Sequence, residues 1–175
     1  SSVLVSVLIC FVIGVPLGVL ASYNKWYRDI QNVVLDAMQT LPYFCYLIPV
    51  LMFFGGNIVS AVIATVIYSV PPIIRLTALG LSQVSGGYSE VSKSFGGTGI
   101  QTLNKVKFPL AVPSLVMGFN QTVIMAFAMQ IVTPLIGGKG LGLQVFNALQ
   151  RSDTGRGLSA GLALSLIHIS EPTRL

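Results

Sequence analysis

The stretch VLVSVLICFVIGVPLGVLAS, residues Val3–Ser22, runs for twenty residues without a charge. As a helix rising about 1.5 Å per residue it covers about 30 Å, the thickness of a bilayer's hydrocarbon core. In lipid every backbone N–H and C=O must be bonded within its own element, which an α-helix achieves and a lone strand does not. The rest of the chain agrees with that reading. Of its 175 residues 53% are hydrophobic and 9% charged, and the mean hydropathy is +0.81. Soluble domains carry about 25% charged residues. A soluble core of this size could not hide so much apolar surface from water. The expected fold is all-α, a polytopic bundle of transmembrane helices. The alternation of a membrane barrel is absent.

Four more segments follow the first. One runs from about Ile30 to Phe54, broken by Pro42 and Pro49. Another runs from Asn57 to Ile74 and is closed by Pro71 and Pro72. The fourth covers Leu110–Leu135, and a weaker fifth begins near Gly157. Pro16 is expected to kink the first segment, and Pro134 lies at the end of the fourth. If the loop after the first helix is cytoplasmic, Lys25, Arg28, Arg75, Lys93, Lys105 and Lys107 all fall inside, against Lys139, Arg151 and Arg156 outside. That is the positive-inside bias of a membrane protein and supports this orientation. Gly14 and Gly18 form a small-xxx-small pair that lets a neighbouring helix approach. Asp36, Gln39 and Thr40 share one side of the second segment. Asn120, Gln121, Thr122 and Gln130 lie along the fourth. Polar groups are costly in lipid, so these line a water-filled path or bond helices together.

Composition also excludes several classes. The net charge of +5 is spread over loops with no basic patch, which argues against a nucleic-acid partner. Cys10 and Cys45 lack CxxC spacing and read as small buried hydrophobes. His168 has no ligand partners nearby, so neither a metal nor any other cofactor is expected. GGTGIQ and GGKGLG follow no strand and lack a P-loop pattern, which removes phosphate binding. Ser1 lies within an apolar run with no initiator Met or basic segment before it. A piece of a larger protein is expected rather than a cleaved signal peptide.

The polar loop between Arg75 and Pro109 carries the most information. Ser89 is expected to cap a short helix, with Glu90 near the positive end of its dipole. Val91 and Phe95 form one apolar edge, and Gly96 with Gly97 supplies a left-handed stop. Thr98 and Gln101 fit a capping box for a second short helix, with Ile100, Leu103 and Val106 on one face. Lys105 and Lys107 fall near its end, and Pro109 opens the next span. Two short surface helices joined at glycines suit docking into a partner's groove.

The same residues carry a resemblance. Glu90, Gly96 six residues on, and Val106-Lys107-Phe108-Pro109 after nine more resemble the E-A-A-x-x-x-G-x₉-I-x-L-P loop. That loop marks the permease subunits of ABC importers that work with a substrate-binding protein. Val91 and Ser92 stand where the family has two alanines, and Val106 and Phe108 where it has Ile and Leu. LDAMQTLPYFCYLIPVLMFFG (Leu35–Gly55), PPIIRLTALGL (Pro71–Leu81), GFNQTVIMAFAM (Gly118–Met129) and IGGKGLG (Ile136–Gly142) look like the glycine betaine/proline/choline branch. Together these stretches span most of residues 1–165.

The resemblance implies a type I importer permease fold. Two permease subunits, expected here to be identical, would pair with two cytoplasmic ATPase subunits that hydrolyse the ATP, so this chain would not itself be an enzyme. A separate extracytoplasmic protein would choose the solute. Glu90, Val91, Ser92, Phe95, Gly96, Val106 and Pro109 would form the coupling element, and osmoprotectant uptake would be the role. A same-fold permease for another small solute, such as an amino acid, stays open. So does a channel or carrier without an ATPase, although Asp36 is the only acid well inside a segment. A membrane enzyme would need paired acids or a nucleophile–base set, which the chain lacks. Residues 1–165 would be the permease domain, truncated at both ends, with 76–108 as its cytoplasmic loop. SLIHISEPTRL (Ser165–Leu175) resembles translated sequencing-adapter sequence, so 166–175 is expected to be a non-native tail, the alternative being a short native one.

Overall fold

The computed structural model describes residues 2–130, 132–136 and 141–170. Among them all regular structure is helical: α1 (Ser2–Tyr23), α2 (Lys25–Thr40), α3 (Phe44–Phe54), α4 (Ile58–Gln83), α5 (Gly86–Ser94), α6 (Gly99–Thr102), α7 (Phe108–Gln130), α8 (Leu141–Gln150) and α9 (Thr154–Ser170). A π-turn at Leu103–Lys107 joins α6 to α7, and a 3₁₀ turn covers Thr133–Ile136. Three stretches, Ser2–Tyr23, Ile58–Gln83 and Gly99–Met129, are long and apolar enough to cross a membrane, and α2 with α3 makes a fourth if the pair is one span.

Several boundaries differ from the sequence expectation, each for a local reason. The second segment starts at Lys25 rather than Ile30. The Asn24 side chain accepts from Trp26 N–H at 3.0 Å and from Tyr27 N–H at 3.3 Å, capping α2. The chain breaks at Leu41–Tyr43, where the residue before Pro42 is pushed out of helical geometry. Pro71 and Pro72 do not close the third segment, because α4 runs through both to Gln83 and so encloses Arg75. In lipid, ending a helix exposes more unsatisfied backbone groups than continuing it with two N–H donors missing. The fifth segment is α9, 17 residues long and preceded by α8. Within the tail, α9 stays helical to Ser170, while Glu171 and the rest of 171–175 lie outside the described residues, as do 137–140 with Lys139. The side chains of Gln130 and His168 are likewise undescribed.

Two compact units divide the chain: residues 10–40 with 70–122, and residues 1–9 with 41–69 and 123–175. In the first unit α1, α4 and α7 meet at small residues. A Cβ on Gly18 would lie 2.6 Å from Thr77 Cβ and 2.8 Å from the Ile74 carbonyl oxygen. The Gly14/Gly18 pair is thus the point where α1 reaches the backbone of α4, as its spacing predicts. Gly80 of α4 meets Ser114 and Ala111 of α7 in the same way. Phe11 and Phe119 pack edge to face with ring centroids 6.2 Å apart. In the second unit Leu47 and Val50 of α3 bury against Ala61 and Ala64 of α4 and Met129 of α7. Val3 and Val7 of α1 pack on Val123 and Ala126 of α7. Cys10 is buried as expected, whereas Cys45 is exposed on α3.

Candidate functional site

Helix α5 begins at Gly86, and its cap is Ser85, four residues before the predicted cap Ser89; the Ser85 side chain accepts from Gly87 N–H at 3.4 Å. Ser89 is therefore interior, and Glu90 lies past the first turn, where the helix dipole has little hold on it. The end of α5 is as predicted, with one refinement. Gly96 alone takes the left-handed conformation, with φ +76°. Gly96 N–H bonds the Lys93 carbonyl and Gly97 N–H the Ser92 carbonyl, both at 2.9 Å, the pair of bonds that defines a Schellman stop. Gly97 is required for a different reason: a Cβ there would sit 2.6 Å from Ser92 Oγ and 2.7 Å from Ser92 O.

The predicted capping box is present at Thr98. Its hydroxyl accepts from Gln101 N–H at 3.4 Å, and Gln101 Oε1 accepts from Thr98 N–H at 2.9 Å. The helix that it starts is not a separate short one. The Phe108 N–H reaches back five residues to Leu103 O, and this widened turn carries the helix past Pro109, which has no N–H to give. Lys105 and Lys107 consequently sit mid-helix rather than at a C-terminus. Lys107 Nζ lies 5.5 Å from the centroid of the Tyr23 ring, tying the π-turn to the end of α1.

Along α5 the apolar side chains point away from the protein. Tyr88 is 57% exposed, Val91 56% and Phe95 89%, at i, i+3 and i+7 on one face, with Ile100 beyond the glycines at 74%. Glu90 and Pro109 are also exposed, while Ser92 and Val106 are half-buried. The structure thus separates two roles within the predicted set. Val91 and Phe95 belong to an outward stripe that also includes Tyr88 and Ile100. Ser92 faces inward and bonds Thr102 at 2.8 Å. Tyr88 was legible from its spacing to Val91. Nothing in the sequence marks Thr102 as the partner of Ser92.

The polar residues inside the segments are placed less uniformly. Asp36 Oδ1 accepts from Arg75 Nη2 at 2.5 Å, joining α2 to α4 beside a cleft of about 380 Å³ that Arg28 and Asn32 also line. Gln39 and Thr40 are exposed, and the Thr40 hydroxyl donates to Ala37 O within α2. On α7, Asn120 is half-buried, Gln121 exposed, and Thr122 buried with its hydroxyl unpartnered. The Asp36 and Arg75 side chains are 63% and 36% exposed, so the pair is screened, yet Arg75 Nε is buried without a partner. A double-mutant cycle of Asp36→Asn and Arg75→Met, read by thermal stability in detergent, is expected to give a coupling of about 0.5–1 kcal/mol. Asp36→Asn should be the costlier single change, since it strands a guanidinium already short of acceptors. No coupling would show that the pair adds nothing to the fold.

The sequence has clear relatives. The family model of the binding-protein-dependent transport system inner membrane component matches residues 14–170. A glycine betaine transport system permease protein of Bacillus subtilis is 41% identical over 168 residues, covering 96% of this chain and 60% of the relative. A glycine betaine/carnitine transport permease protein of Listeria monocytogenes is 44% identical over 167 residues, covering 95% and 59%. The chain thus spans about three-fifths of the length of these relatives. Among solved structures, an inward-facing MetNI methionine ABC transporter aligns with a TM-score of 0.80 at 24% identity, covering 95% of this chain and 84% of that one. At that identity the likeness speaks for the fold.

Proposed function

Because the chain belongs to the family of inner membrane components of binding-protein-dependent transport systems, we propose that it is the permease subunit of an ATP-driven importer for glycine betaine- or choline-type osmoprotectants. The observation that carries this reading is α5, an outward apolar stripe on a capped helix in the register Glu90–Gly96–Pro109. A membrane protein leaves such a face bare outside its spans when another protein covers it. The occupant is a cleft in a cytoplasmic ATPase, which takes Val91 and Phe95, with Tyr88 and Ile100 at the margins. Glu90 and Gly96 set the shape of the coupling element, and Val106 and Pro109 carry it into α7.

ATP is hydrolysed in that partner, and this chain contributes the path. Asp36, Gln39, Thr40, Asn120, Gln121 and Gln130 are its polar lining, with Asp36 held by Arg75. Residues 1–165 act as one permease domain, a second copy completes the path, and an extracytoplasmic binding protein delivers the solute. The solute class is supported by the 41% and 44% identity to permeases named for glycine betaine. The test is co-reconstitution of the full-length subunit with its ATPase and binding protein in vesicles, followed by labelled glycine betaine uptake. Accumulation that needs both ATP and the ATPase is the expected result. Uptake without the ATPase would identify a channel or carrier. Accumulation of an amino acid in place of glycine betaine would keep the machine and change the solute.

A further inference from the structure

A motor that moves α5 is useful only if α5 cannot swivel on the chain that leads to α7. The connection is Phe95–Thr98, which contains two glycines and would be a loose hinge alone. Ser92 closes it from both sides. Its carbonyl accepts Gly97 N–H at 2.9 Å, and its hydroxyl lies 2.8 Å from the Thr102 hydroxyl on the far side of the joint. Thr102 donates its own proton to Thr98 O at 3.0 Å, which leaves Ser92 as the donor to Thr102. Thr102 is 4% exposed, so little water competes for this bond. Beyond Thr102 the helix is continuous through the π-turn to Met129.

We infer that the Ser92–Thr102 hydrogen bond is the positioning contact that locks α5 rigidly to the α6–α7 helix, so that displacement of α5 is passed to the membrane rather than absorbed at the glycines. This rests on the docking of α5 to an ATPase. It also gives a use to Ser92, which stands where the resembled loop pattern has an alanine that could not make the bond.

The experiment compares Ser92→Ala, Thr102→Val, the double variant and Thr102→Ser in the full-length permease, assembled with its ATPase and binding protein in vesicles. Two quantities are read: complex assembly, and glycine betaine accumulated per ATP hydrolysed. One neutral hydrogen bond controls a population ratio of about two- to tenfold. Uptake per ATP is therefore expected to fall about two- to tenfold in Ser92→Ala and Thr102→Val, with assembly unchanged. The double variant should fall no further than either single one, and Thr102→Ser should hold the original ratio. A merely structural bond would lower assembly and uptake together and leave the ratio alone, which would overturn the inference. An unchanged ratio in all variants would do the same. If Phe95→Asp, run alongside, also left uptake and assembly intact, the docking of α5 itself would be the reading that failed.

Discussion

On the proposed function, Phe95→Asp is expected to lower assembly with the proposed cytoplasmic ATPase at least tenfold, and ATP-driven uptake with it, while the subunit keeps its fold. The side chain is 89% exposed, so removing it takes almost nothing from the chain's own packing. What it forfeits is burial in a complex, where a phenylalanine contributes about 1.5–3 kcal/mol, or roughly 10- to 150-fold in an association constant. Aspartate adds to this loss, because its charge must be desolvated in an apolar cleft. Co-purification with the ATPase and the thermal stability of the variant alone separate the two effects. Tyr88→Asp and Val91→Asp on the same face should act in the same direction and less strongly, since both are less exposed. Full uptake by Phe95→Asp would mean that the stripe faces something other than the motor.

The second large effect concerns the fold itself. Gly18→Leu is expected to cut the yield of folded subunit severely, with a stability loss of about 3 kcal/mol or more. The space for a first carbon is already occupied, since a Cβ would come within 2.8 Å of the Ile74 carbonyl oxygen and 2.6 Å of Thr77 Cβ. Thr77 is fully buried and its side chain cannot swing away into solvent, and the carbonyl belongs to the α4 backbone. Relief therefore requires α1 to withdraw from α4. Gly155→Leu is the control, because Gly155 lies at the start of α9, where the nearest atom a Cβ would meet is the Asp153 carboxylate oxygen at 3.6 Å, an ordinary contact. Membrane insertion and detergent melting of both variants give the comparison. Equal stability of Gly18→Leu and the parent would contradict the close approach of α1 to α4.

The loop shows where the sequence was easiest and hardest to read. Thr98 with Gln101 and Gly96 before it are signals spelled by neighbouring residues, so the capping box and the left-handed stop were both legible. Ser85 escaped because Gly86 and Gly87 follow it, and glycines do not look like a first helical turn. The proline pair in α4 and Pro109 misled for another reason. Propensity treats proline as a stop, yet in these helices the surrounding lipid penalises a free end more than a missing donor. Cys45 was read as buried from its apolar neighbours, but an apolar span has an outward side as well, and the sequence does not say which side faces protein.

By itself the sequence determined that this is an all-helical membrane protein, where most spans lie, and which short element stands outside them. Those properties follow from composition and from spacings of three to seven residues, which one helix reads along its own axis. Only the tertiary structure decided that Asp36 is held by Arg75, thirty-nine residues away, and that Ser92 is held by Thr102 across a glycine joint. It also decided that Gly18 touches the backbone of α4. Contacts between helices depend on rotation and register, and a chain apolar on nearly every side leaves both undetermined until the small residues meet.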